Sequence, residues 1–123
     1  MPRRRGTALI VDDDLSVGQV LKDMVEGIGF AVTHVVHDDS AAYALFDADH
    51  RWDVAFVDLN LGKGGPTGVE VARRASERSN SVIVITGLPR LPDTLSGMGL
   101  LLKPFSVDQV RLILDNMNRP VGA

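Results

Sequence analysis

Four short apolar runs constrain this chain more than any other feature: Ala8-Leu9-Ile10-Val11, Val54-Ala55-Phe56-Val57, Val82-Ile83-Val84-Ile85 and Leu100-Leu101-Leu102. None alternates apolar with polar residues, and three are rich in β-branched side chains. A strand with one wet face alternates, whereas a strand covered on both faces reads as an unbroken apolar run. These runs are far too short to span a bilayer. They predict a sheet clothed by helices on both sides. A fifth, weaker segment, Ala31 to Val36, is interrupted by Thr33 and His34 and reads as an edge strand.

The stretches between the runs carry helical signals. Val17, Val20, Leu21, Met24 and Ile28 are spaced by threes and fours along one face. Ser16 with Gln19 predicts a capping box at the start of that helix, and Gly27 and Gly29 mark its end. Thr67 with Glu70 predicts the same box ahead of Val69 to Arg78, and Ser106 with Gln109 ahead of Val107, Val110, Ile113, Leu114 and Met117. Asp38-Asp39-Ser40 precedes an Ala-rich helical stretch, Ala41 to Ala48. Strands alternating with helices make βαβ units, whose crossovers are right-handed and whose strands are parallel. The fold class predicted is α/β, a flavodoxin-like doubly wound sheet of five parallel strands in the order 2-1-3-4-5.

With 123 residues, the chain has room for one domain, and no repeat or internal linker divides it. The boundaries read as a basic N-terminal tail over residues 1–6, the domain over 7–119, and a C-terminal tail over 120–123. A hydrophobic fraction of 45% with 24% charged residues argues for a packed core rather than disorder. The net charge of −3 argues against a whole-protein nucleic-acid footprint. With no cysteine there is no disulfide, thiol nucleophile or cysteine-based metal site, consistent with a cytoplasmic location. Arg3, Arg4 and Arg5 are followed by no apolar segment of secretory-signal type, and no membrane contact is expected.

The chemistry follows the apolar runs. After the first come Asp12, Asp13 and Asp14; after the second, Asp58; after the third, Thr86; and after the last, Lys103-Pro104. In a parallel sheet all strand C-termini emerge along one edge, where sites form. The order therefore gathers carboxylates, a hydroxyl and an ammonium. Asp14 alone also reads as a helix cap. Carboxylates about 4–5 Å apart at an effective dielectric near 20 repel by about 3–4 kcal/mol per pair. Either one is protonated or a cation sits among them. Oxygen ligands with positions left for water and phosphate suit Mg²⁺, with Mn²⁺ as a substitute. A carboxylate of this kind can attack a phosphoryl donor, with Lys103 and Thr86 holding phosphoryl oxygens.

Ile10-Val11-Asp12-Asp13-Asp14, Val57-Asp58-Leu59-Asn60-Leu61, Val84-Ile85-Thr86-Gly87 and Leu102-Lys103-Pro104-Phe105 together resemble the receiver domain of two-component response regulators, over nearly the whole chain. The resemblance implies that Asp58 accepts a phosphoryl group from the phosphohistidine of a histidine kinase or phosphotransfer protein. It implies Asp13 and Asp58 as direct Mg²⁺ ligands, the Asn60 main-chain carbonyl as a third, and Asp12 acting through water. Thr86 and Lys103 would grip the phosphoryl oxygens and relay their presence to a downstream protein, with a homodimer as a further partner. It also implies a cis Lys103-Pro104 peptide.

The sequence departs from that family in two places. The sixteen residues between Thr86 and Lys103 include Gly87, Pro89, Pro92, Gly97 and Gly99, and proline and glycine oppose helix interiors. A shortened or irregular fourth helix is predicted, with one turn near Asp93 to Ser96. Three positions before the lysine, where many receivers carry an aromatic switch residue, stands Leu100. The loop Gly62-Lys63-Gly64-Gly65-Pro66-Thr67-Gly68 lacks the ending of a P-loop and reads as a flexible loop over the acidic site.

Two other readings compete. A haloacid-dehalogenase-like phosphatase also uses Asp-x-Asp, Thr and Lys, but needs a cap and a further acidic pair, where only Asp108 and Asp115 occur, on a helix. A receiver-like module that works without phosphate is disfavoured by the intact acids, acceptor, threonine and lysine. His34 and His37 fall on opposite faces of a strand, which argues against a metal pair. Trp52 reads as the anchor of a strand start, and Arg73, Arg74 and Arg78 as a solvated helix face.

Overall fold

A computed structural model describes residues 5–61, 67–88 and 90–117. The elements run β1 (Gly6–Val11), α1 (Leu15–Ile28), β2 (Phe30–Val36), α2 (Asp39–Asp47), β3 (Trp52–Asp58), α3 (Thr67–Ala75), β4 (Ser79–Thr86), a 3-10 turn (Asp93–Leu95), β5 (Gly99–Leu102) and α4 (Val107–Met117). All strand pairs are parallel, in the order β2-β1-β3-β4-β5. This is the expected doubly wound sheet, and Phe30–Val36 is one of its two edge strands, β5 being the other.

Successive side chains of a strand point to opposite faces, so each apolar run feeds two cores. On one face Leu9, Val11, Ala55, Val57, Val82 and Val84 pack with Ala42 and Phe46 of α2, and with Val71, Ala72 and Ala75 of α3. On the other, Ala8, Ile10, Val54, Phe56, Ile83, Ile85 and Leu101 pack with Leu21 and Val25 of α1 and Val110 and Leu114 of α4. Both sets are buried, which is why the runs do not alternate. Among the described residues, the crossover between β4 and β5 holds only the Asp93–Leu95 turn, as its prolines and glycines predict. Its Leu95 is fully buried in the first core and partly fills the place of a helix.

Several local expectations change. The cap of α1 is Asp14, whose Oδ1 accepts from the Ser16 and Val17 amides, and not Ser16. The partner proposed for Ser16, Gln19, donates instead to Asp23. Gly29 ends α1 at φ 123°, while Gly27 lies inside the helix. The box at α4 does form: the Gln109 amide donates to Ser106 Oγ and the Ser106 amide to Gln109 Oε1. Asp38 caps α2, and α3 ends at Ala75, three residues short of Arg78. Gly6, expected in the N-terminal tail, opens β1, and Arg5 is tied down beside it, while residues 1–4 lie outside the described residues. The Arg5 guanidinium pairs with Asp115 and sits over the Phe30 ring. Arg74 and Arg78 are not simply solvated: Arg74 pairs with Asp47 and covers Tyr43, and Arg78 pairs with Asp49. Trp52 does open β3, at 4% exposure. Of the loop expected to cover the site, 62–68, Thr67 and Gly68 belong instead to α3, while residues 62–66, like the C-terminal tail over 120–123, lie outside the described residues.

Candidate phosphoacceptor and metal site

The strand ends deliver their side chains to one edge. The ladder continues past β1, where the Asp12 amide donates to the Val36 carbonyl, and past β5, where the Lys103 amide donates to Thr86. Registering β1 on β3 and β3 on β4 sets Asp58 between the acids after β1 and the β4 end. Asp12, Asp13 and Asp58 each present a carboxylate oxygen within 4.8 Å of the other two. Lys103 Nζ donates to Asp58 Oδ2 at 2.8 Å across this pocket. The Lys103-Pro104 peptide is cis.

Burial distinguishes the acids. Asp12 is 0% and Asp58 1% exposed, while Asp13 lies at the surface. Asp58 is satisfied at both oxygens, since Oδ1 accepts from the Asn60 amide at 2.9 Å. Asp12 Oδ1 accepts from the Asp14 amide, but its Oδ2 is buried without a partner among the described residues. Burial pushes the Asp12 carboxyl up to about 6, against the lowering effect of the Asp14 amide; the Asp58 charge adds to the rise and Lys103 opposes it. Burial by itself would lower Lys103, but the bond to Asp58 and the charges of Asp58, Asp12 and Asp13 outweigh it and raise the ammonium overall. The lysine therefore carries its proton through the neutral range.

Thr86, 7% exposed, ends β4, and its Oγ1 accepts from the Leu88 amide at 3.1 Å. Asn60 is exposed on the loop after Asp58. The six residues expected at the site thus come from four separate strand ends. Of these, the structure draws Asp12, Asp13, Asp58 and Lys103 into mutual reach. A residue absent from that expectation adjoins them: His37 Nδ1–H donates to the Asp12 carbonyl at 2.8 Å. Its signal in the sequence was position alone, directly after β2 as Asp12 directly follows β1. Beside the pocket, Val17 and Val20 of α1 and Lys103, Pro104 and Phe105 line an apolar groove of about 540 Å³.

The sequence pattern of the response regulator receiver domain matches residues 8–115. The chain belongs to that family. It is a two-component signalling domain, not a turnover enzyme, which sets aside the phosphatase reading. Regulatory protein VirG of Agrobacterium tumefaciens (strain 15955) is 31% identical over 106 residues, covering 80% of this chain and 38% of that protein. The receiver domain spans 38 to 52% of the length of the curated relatives it matches. Among solved structures, the PhyR receiver domain of Erythrobacter litoralis superposes with a TM-score of 0.77 at 23% identity, covering 98% of each chain. A CheY-like receiver domain from Methylobacillus flagellatus gives 0.76 at 21%, covering 95% of this chain and all of the other. At those identities the superpositions establish the shared fold. Among the described residues of the receiver domain, no helix is long and apolar enough to cross a membrane.

Proposed function

We propose that this receiver domain takes a phosphoryl group from the phosphohistidine of a histidine kinase or phosphotransfer protein onto Asp58, and signals through protein contacts. The observation that carries this reading is the Lys103–Asp58 contact at 2.8 Å beside the carboxylates of Asp12 and Asp13. Asp58 Oδ attacks phosphorus, the P–N bond breaks, and its electron pair returns to the donor imidazole. Lys103, already within reach of the acceptor, holds an equatorial phosphoryl oxygen. The Thr86 hydroxyl at the end of β4 donates to another while its oxygen goes on accepting from the Leu88 amide. The apolar groove walled by Lys103, Pro104 and Phe105 offers the donor protein a surface next to the acceptor.

The residues present fit a hard divalent cation. The donor set is all oxygen, and among the described residues the buried Asp12 Oδ2 is an acceptor without a hydrogen-bond donor. Asp13, Asp58 and the Asn60 main-chain carbonyl would hold Mg²⁺ or Mn²⁺ directly, with Asp12 acting through water. When bound, the ion neutralises charge on the acids and on the transferring phosphoryl oxygens. The ion's charge would favour the ionised form of Asp12, whose carboxyl burial raises to about 6, and this couples ion binding to the charge state of the pocket.

The test is phosphorylation with Mg²⁺ and either a phosphorylated kinase domain or acetyl phosphate. Wild type is expected to gain one base-labile phosphoryl group by intact mass. Asp58→Asn is expected to gain none while keeping the wild-type fold by circular dichroism. Retained base-labile labelling in Asp58→Asn would remove Asp58 from the role.

A further inference from the structure

We propose that His34 and His50 form a second, separate metal site that takes a late divalent transition-metal ion such as Cu²⁺, Ni²⁺ or Zn²⁺. His34 lies on β2, and His50 lies between α2 and β3, at the far end of β3 from Asp58. Their ring centroids are 4.7 Å apart at an interplanar angle of 61°. A metal–nitrogen bond of about 2.0–2.1 Å puts each ring centre about 3.2 Å from a shared ion, so ligands at 90–110° have centroids about 4.5–5.2 Å apart. The observed separation falls in that interval.

The surroundings of His34 resemble the outer shell of a metal-ligating imidazole. Such ligands donate their second ring N–H to a neighbouring oxygen, which fixes the tautomer and leaves the other nitrogen for the metal. His34 Nδ1 lies 3.1 Å from Thr33 Oγ1, and Thr33 Oγ1 lies 3.5 Å from the Ala8 carbonyl. Trp52 Nε1 donates to the same Thr33 Oγ1 at 3.1 Å; it also lies 3.2 Å from His34 Nδ1, but its one proton goes to Thr33 when Nδ1 is protonated. In that arrangement the threonine hydroxyl accepts two bonds and donates one, and His34 Nε2 keeps its lone pair. Neither His34 Nε2 nor either ring nitrogen of His50 joins a hydrogen bond among the described residues. Burial first, and then His50, push His34 below its usual range, so it is neutral and able to ligate at neutral pH. Imidazole ligands favour late first-row metals over Mg²⁺, which sets this pair apart from the all-oxygen pocket. His50 is exposed, so water completes the coordination sphere.

The sole tryptophan reports on the site, because the Trp52 ring lies 5.6 Å from His34 and 6.2 Å from His50. The experiment titrates CuCl₂ into the full chain with excess Mg²⁺ present and follows Trp52 fluorescence, alongside His50→Ala, His34→Ala and His37→Ala. Saturable 1:1 quenching is expected in wild type and in His37→Ala. His50→Ala, exposed and away from the core, should weaken it by at least about tenfold, and His34→Ala likewise. A parallel rise of the wild-type Tm with ZnCl₂, absent in His50→Ala, provides a second readout. Absent saturation in wild type, unchanged binding in His50→Ala, or binding lost in His37→Ala would each overturn the site.

Discussion

Asp12 is a buried carboxyl with one oxygen on the Asp14 amide and the other without a partner among the described residues, and its pKa is raised to about 6. An acid whose folded value lies above its ordinary 3.8 binds more protons folded than unfolded between those two values. Stability therefore falls as pH rises through that window, and at neutral pH the deficit is complete, at most about 3 kcal/mol. Asp12→Asn removes the deficit. In EDTA at neutral pH the variant is expected to melt several degrees above wild type in a calorimetric scan, and saturating Mg²⁺ should narrow the gap by raising wild type more than the variant. A variant that melts at or below wild type in EDTA would show that the acid cluster is not a strained one. The presence of Asp12, Asp13, Asp58, Thr86 and Lys103 after strands was legible, because a parallel sheet leaves one place for strand ends to meet. Their unequal burial was not: Asp13 is exposed and Asp12 sealed although they are neighbours in the chain.

At the scale of elements, starts were easier to read than caps. Asp14 and Ser16 both offer oxygens near the start of α1, and their sequence cannot rank them. The chain leaving β1 rises extended through Asp14, at φ −90° and ψ 113°, and this backbone aims its carboxylate at two free amides. The docking of α3 rests on a similar detail. A Cβ at Gly68 would overlap the carbonyl of Leu59, the residue following Asp58, so α3 starts against the acceptor loop only because this position has no side chain. Gly68→Ala is expected to destabilise the fold by about 1–3 kcal/mol, read as a lower midpoint in urea. An unchanged midpoint would mean that α3 can shift freely away from Leu59. Arg74 belongs to the same lesson: its contacts with Asp47 and the Tyr43 ring exist only because α2 and α3 pack side by side.

For the whole molecule, the sheet is unevenly clothed. β1 and β3 run through its centre with their apolar residues fully buried, whereas β5 is a four-residue edge strand with Leu102 38% exposed and Leu100 half-buried. One 3-10 turn stands where a helix would cover that face. Regions with few buried apolar contacts and edge hydrogen bonds open at lower free energy than the core. Native-state hydrogen exchange is expected to show the β5 amides and residues 93–98 exchanging through local opening, well ahead of β1 and β3, which exchange only on global unfolding. Uniform protection across β3, β4 and β5 would contradict this.

Taken by itself, the sequence determined the layering, the parallel sheet, the shortened, irregular crossover between β4 and β5 and the set of residues placed at the strand ends. Apolar periodicity, proline and glycine act locally, over a few residues, and so are readable in order along the chain. The tertiary structure alone decided which carboxyl is sealed from water, that His37 reaches the Asp12 carbonyl, and that His34 meets His50 rather than His37. Those outcomes depend on the register of one element against another, and separations of a few ångströms between residues far apart in the chain exist only once the two cores have closed.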